Sequence, residues 1–227
     1  TDCHREKAGG YMPLERLAKL REIFFPKPGY TTGGREMKVE TQADNPDYEE
    51  FPENVRWTKG GVLFADMHIV GSENAARDFP GRTSADDEEV IRRTNAAIAW
   101  MEETFDKAEE MESPGIFLMI QANPHFEKAA GSAGRKGFNE FLDALEREVI
   151  TYGKPVVFAH GDSHYFRYDK PLNSSVSGRL IENFTRLENF GSKNVHWVRV
   201  IVKPDDPQVF QIRQEIVEEN LEEHTLP

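Results

Sequence analysis

Cysteine is nearly absent from these 227 residues: Cys3 is the single one, so no internal disulfide and no thiolate-built zinc site can form. Long hydrophobic runs are missing as well. No stretch approaches the roughly 20 apolar residues that cross a bilayer, and no charged-then-apolar leader precedes a cleavage site, so no membrane partner is expected. Positive charge is scarce: 28 Lys and Arg stand against 40 Asp and Glu, a formal net charge of -12, and the basic residues are scattered. General nucleic-acid binding needs a clustered cationic face and is not expected. The chain opens on Thr1 rather than Met, which reads as a processed product or a piece of something longer. What is present is 38% hydrophobic and 11% aromatic residues, enough for a packed core. At this length folding hides roughly 70% of the unfolded surface without staples, and one acidic domain over residues 1–227 is expected.

Residues 13–25 read as a helix, with Leu14, Leu17, Leu20 and Phe24 at helical spacing and Pro26 as the stop. From 26 to 54 no period is visible, which predicts a long loop. Segments 55–58 and 61–70 flank Lys59-Gly60 as a hairpin, and the second, GVLFADMHIV, is apolar enough to be a central strand. A loop over 71–83 then leads to Ser84, the expected N-cap of a helix to Glu110. Its first turn carries Asp86, Asp87, Glu88 and Glu89, and Val90, Thr94, Ala97, Met101 and Phe105 follow at helical spacing. Strands are expected at 116–120 (IFLMI) and 155–159 (PVVFA), with an amphipathic helix carrying Phe138, Phe141, Leu142, Leu145 and Val149 between them. Two last strands, 195–202 and 209–217, flank the turn Lys203-Pro204-Asp205-Asp206-Pro207. Apolar strands that alternate with helices and end in an antiparallel tail predict an α/β protein with mixed sheets.

Chemistry concentrates at two strand ends. Strand 155–159 runs into His160-Gly161-Asp162-Ser163-His164, and strand 116–120 runs into Gln121-Ala122-Asn123-Pro124-His125. Imidazole and carboxylate together suit Zn, Mn or Fe, and two such ends side by side would make one pocket. The plainer alternative is a pair of ordinary turns with locally bonded histidines. Asp66 and His68, two apart on a strand, would share a face and could chelate together, or else face solvent. Gly71-Ser72-Glu73-Asn74 just beyond could touch a substrate. Arg167 and Lys170, among Tyr165, Phe166 and Tyr168, could offer charge to a phosphate or could belong to a surface strand. Thr1-Asp2-Cys3-His4-Arg5 is expected to fray, and nothing fixes a base beside Cys3. Ser163 lacks the glycine-flanked elbow of a hydrolase nucleophile.

These segments resemble the calcineurin-like metallophosphoesterase superfamily, in particular a bacterial branch of it. The resemblance runs through TDCHREKAGGYMPLERLAKLREIFF, HIVGSEN, QANP, HGDSHYFRYDKPL and NVHWVRVIVKP in that order. It implies two mixed β-sheets packed as a sandwich flanked by helices, with two divalent cations (Mn, Zn or Fe) at the strand ends. It further implies hydrolysis of a small-molecule phosphoester by a metal-bound hydroxide bridging the two ions. Gly161-Asp162-Ser163-His164 sits where the superfamily has Gly-His-x-His, and Gln121 sits where it has a lone histidine after a strand. The branch carries a Gly-Asp-Asn-Glu-Trp motif just ahead of the segment matched by Thr1-Asp2-Cys3. The resemblance therefore implies a bacterial chain lacking its N-terminal motifs; members of that branch are often exported, to the periplasm or by secretion, while the sequence itself is silent on compartment. On this basis His164, His160, Asp162 and Gln121 are expected as metal ligands, with the first three catalytic. His68, Asn74 and Arg167 are expected at the substrate. The alternative is a non-catalytic scaffold or binding domain on the same fold, with an incomplete metal site.

Overall fold

The structure is a computed structural model that describes residues 2–222. Its centre is a seven-stranded mixed sheet in the order β1-β2-β3-β4-β5-β7-β6. The strands are β1 (Glu40–Thr41), β2 (Val55–Lys59), β3 (Val62–Asp66), β4 (Ile116–Met119), β5 (Val156–His160), β6 (Arg167–Asp169) and β7 (Phe184–Glu188). β3, β4, β5 and β7 run parallel, so their carboxyl ends share one edge, while β1, β2 and β6 are antiparallel additions at the two sides. A separate antiparallel pair, β8 (Trp197–Val202) and β9 (Phe210–Glu215), forms a second, two-stranded sheet. The helices are α1 (Pro13–Phe24), the single turn α2 (Gly71–Asn74), α3 (Ser84–Glu110) and α4 (Asn139–Tyr152). The α/β expectation holds at that level. The arrangement is compatible with two stacked sheets, although the smaller one is a plain hairpin rather than mixed.

The three central strands are apolar on both faces, and period-two alternation divides them between two cores. Leu63, Ala65, Ile116, Leu118, Val156 and Phe158 join Trp100, Met101 and Phe105 of α3 and Phe141 and Leu145 of α4. Val62, Phe64, Phe117 and Val157 meet Val198, Val200 and Ile212 of the hairpin on the other side. Among the described residues no helix is long and apolar enough to cross a membrane.

Several boundaries depart from expectation for visible reasons. β3 stops at Asp66 because the Ile69 N–H turns back to the Met67 carbonyl at 2.9 Å, a three-residue turn that ends the extended run. The cap of α3 is Thr83, not Ser84: Thr83 and Asp86 exchange side-chain and backbone hydrogen bonds as a capping box. The expected loop 26–54 contains β1 and two short 3-10 turns, and it is tied down by buried Gln42, whose Nε2 donates to the Ala96 carbonyl at 2.7 Å. β7 was not expected at all, since its inward positions include Arg186 and Glu188, which an apolar pattern does not flag. Of the N-terminal segment expected to fray, Thr1 lies outside the described residues, Asp2–His4 and Glu6–Ala8 form 3-10 turns, and the His4 ring stacks on Phe79 at 4.7 Å between centroids.

Candidate functional site

The parallel strands deliver three loops to one edge of the sheet, and a polar mouth forms where they meet. Val70, Gly71, Ser72, Glu73 and Arg77 beyond β3, Gln121, Asn123 and His125 beyond β4, and Asp162 beyond β5 line a cavity of about 510 Å³. Gln121 joins all three loops. Its Oε1 accepts the Gly71 N–H at 3.0 Å, and its Nε2 donates to Asp162 Oδ1 at 3.2 Å. Backbone bonds fix the same seam: Gly161 N–H donates to the Gln121 carbonyl, and Ala122 N–H to that of Ile69. A Cβ at Gly71 would stand 2.9 Å from Asp162 Oδ2, so any larger residue here would displace the Asp162 carboxylate.

The loop beyond β3 is unusual. Ser72, Glu73, Asn74 and Ala75 all have positive φ, between 55° and 62°, so a left-handed turn follows Gly71 with no glycine among its four residues. Left-handed backbone costs an L-residue roughly 1–2 kcal/mol, so buried partners must hold it. Asn74 supplies them: its Nδ2 donates to Thr94 Oγ1 at 2.8 Å, its Oδ1 accepts from Arg93 Nη1 at 2.5 Å, and Arg93 Nη2 bonds its carbonyl at 3.0 Å. Glu73, 7% exposed, accepts the Gly134 N–H at 2.9 Å, while its Oε2 has no hydrogen-bond donor. Lys136 Nζ stands 3.8 Å from that oxygen.

The structure separates the expected residues. Asp162 and Gln121 meet at the mouth. His160 does not join them: β5 extends one residue further than its apolar run, and alternation turns His160 onto the face of Phe158. There it is 4% exposed beside Phe126 and Phe158, with Nε2 unpartnered. Burial pushes its pKa down to about 4; its bond to the Gly161 carbonyl opposes that, and the nearby Arg186 and Arg167 charges reinforce it. His164, exposed and also at positive φ, turns away to the Ser192 carbonyl, its Nδ1 at 3.0 Å. Arg167 is engaged by Glu188 and by Glu127, the latter at 2.8 Å. Asn74 is fully buried in the anchoring role just described.

His68 lies past the end of β3, so the same-face rule that would pair it with Asp66 no longer applies. Its Nδ1 contacts Glu53 Oε1 at 2.7 Å. Burial would raise the Glu53 carboxyl, but hydrogen bonds from His68 and Arg21 outweigh it and hold the pKa at about 2. Asp66 goes the other way, raised to about 7 by burial and by the Glu53 charge against a single backbone hydrogen bond from Met67.

His125, Asn123, Glu73 and Arg77 are polar mouth residues outside the expected ligand and substrate set. Asn123 and His125 were legible as the continuation of a strand end. Glu73 was legible as part of the 71–74 segment expected to touch a substrate, whereas Arg77 was not, because no residue pattern announces the left-handed turn that precedes it. Among the described residues, no group of three or more His, Cys, Asp or Glu stands ready to hold a metal ion. No protein-family model matches the chain, and no curated protein matches it.

Proposed function

We propose that the chain serves a metal-dependent phosphoester hydrolase of the calcineurin-like metallophosphoesterase kind, and that the ends of β4 and β5 form one wall of its phosphoester site. The observation that carries this reading is the Gln121–Asp162 contact. Polar groups 41 residues apart close over the carboxyl ends of adjacent parallel strands, where ligands gather in sheets of this type. The two stacked sheets suit the sandwich that the resemblance implies.

The described residues do not fit a dinuclear centre unaided. Asp162 is the one carboxylate of the expected ligand set at the mouth. Gln121 has both ends of its amide bonded to protein, His160 is sealed in the core, and His164 faces a carbonyl. No hydrolytic step is assigned to these side chains. That shortfall favours the second reading, a binding or scaffold domain on the same fold with an incomplete metal site.

Assay of the full chain for Mn- or Zn-dependent hydrolysis of p-nitrophenyl phosphate and of its bis-ester separates the two. Hydrolysis that Asp162→Ala abolishes, with the circular dichroism spectrum kept, supports the hydrolase. Absence of both hydrolysis and saturable Mn or Zn binding by calorimetry decides for the scaffold.

A further inference from the structure

A second cavity lies against the polar mouth. It has a volume of about 220 Å³ and sits between α1, the segment beyond β3 and the start of α3. The two cavities share Val70, Ser72 and Arg77, so a single short segment is the rim of both. Their chemistry differs. The mouth is lined largely by amides, carboxylates and imidazole, whereas this cleft presents Leu14, Leu17 and Leu20 of α1 opposite Phe79 and Val90.

Its size and charge narrow the occupant. The cleft's volume of about 220 Å³ exceeds the roughly 150 Å³ of an engineered cavity that encloses benzene, so an open cleft of this size has room for a substituted or fused aromatic ring. Five arginines line the cleft against three carboxylates, an inversion of sign in a chain of net charge -12. Most of these cations are already matched: Arg16 by Glu15, Arg82 by Asp87 and Arg93 by Glu89. Arg77 is the loosely held one, with a side chain 57% exposed and 4.0 Å from Glu73 Oε1, and it stands at the shared rim. A guanidinium in that position can grip phosphoryl oxygens with two parallel N–H donors.

We propose that this cleft is the subsite for the organic group of the phosphoester, and that it selects aryl phosphates: the ring lies between α1 and the stacked His4–Phe79 pair, and the phosphoryl group sits at the rim under Arg77. The assignment rests on the phosphoester reading of the mouth. It also gives α1 a purpose. No residue of α1 is buried, and Leu20, Ile23 and Phe24 are about half exposed, so packing alone does not account for its leucine stripe.

Calorimetric titration of the full chain with 1-naphthyl phosphate, glycerol 2-phosphate, inorganic phosphate and 1-naphthol tests both claims separately. Naphthyl phosphate should bind at least about tenfold more tightly than any of the other three. Leu17→Asp, on a helix with no buried residue, should remove that advantage and leave inorganic phosphate unchanged. Arg77→Gln should weaken all three phosphates and leave naphthol unchanged. If glycerol 2-phosphate or inorganic phosphate binds as tightly as naphthyl phosphate, the aryl subsite is overturned while the phosphoester reading stands. If naphthol binds as tightly as naphthyl phosphate and Arg77→Gln changes neither, the phosphoryl position under Arg77 and the aryl phosphate subsite are overturned, whereas the phosphoester reading itself fails only if the full chain shows no Mn- or Zn-dependent hydrolysis.

Discussion

The ends of β4 and β5 look alike in sequence and behave differently in the fold. Each apolar strand runs into a five-residue polar segment with histidine at its last position. Beyond β4 the segment stays together: Gln121, Asn123 and His125 all line the mouth. Beyond β5 the same length of chain is dealt to three places, with His160 in the core, Asp162 at the mouth and His164 on the loop at Ser192. Two physical differences account for this. β5 extends one residue past its apolar run, so alternation carries its first histidine inward, and Asp162 takes a positive φ where its counterpart Asn123 does not, although the last histidine of each segment, His125 and His164, has positive φ. Residue types therefore indicate that a strand end is polar, while strand length and backbone hand decide what it presents.

The hardest way to break the β5 end is from below. Phe158 is fully buried on the same face as His160, and Phe158→Ala should cost about 3–5 kcal/mol of unfolding free energy in a urea titration. A loss under about 1 kcal/mol would mean that His160 is not seated on a packed floor.

The His160 environment gives a pH signature. In the folded chain its pKa lies near 4 against an ordinary 6.5, so between these values the unfolded chain takes up the proton and the folded chain resists it. Its contribution to stability is complete above about pH 6.5 and is lost as pH falls towards 4, by up to about 3 kcal/mol. Asp66 opposes it: with its pKa raised from 3.8 to about 7, its contribution is present below 3.8 and lost as pH rises through 7. Denaturation midpoints of the wild type should thus change little between pH 7 and 4.5. His160→Asn should leave the Asp66 effect exposed and become more stable on acidification. A variant whose midpoint changes as little over this range as that of the wild type contradicts the buried neutral imidazole.

A smaller effect tests the link between the two loops. Asn123, 5% exposed, donates to Ser163 Oγ and accepts the His125 N–H at 2.9 Å. Asn123→Ala should cost about 1–2 kcal/mol and should perturb the amide resonances of Ser163 and His125 together. The smallest effect belongs to His164, which is exposed: His164→Ala should stay within about 0.5 kcal/mol of wild type by thermal melt. A larger loss would make it a structural clamp on the loop around Ser192.

Much of the architecture was legible because hydrophobic period dominates it. α1, α3, α4 and the three central strands follow the spacing of Leu, Ile, Val and Phe, and the hairpin at Lys59-Gly60 follows its turn residues. β7 was not legible, since Arg186 and Glu188 are buried as ion pairs, with Asp169 and Arg167 respectively, rather than as hydrophobes. At the site, the strand ends could be located from sequence and the assignment of individual side chains could not. Asn74 shows why: a short amide beyond a strand reads as a ligand contact, but here it holds a turn to α3 through Arg93 and Thr94.

That turn also bears on how the protein could be altered. Four successive L-residues at Ser72–Ala75 hold a backbone hand that glycine adopts without penalty, and three of them are not the fully buried Asn74. The segment is therefore a reserve of thermal robustness open to engineering: an Ala75→Gly exchange relieves local strain without touching Asn74's anchors, so hardiness could be raised beside the mouth rather than at its expense.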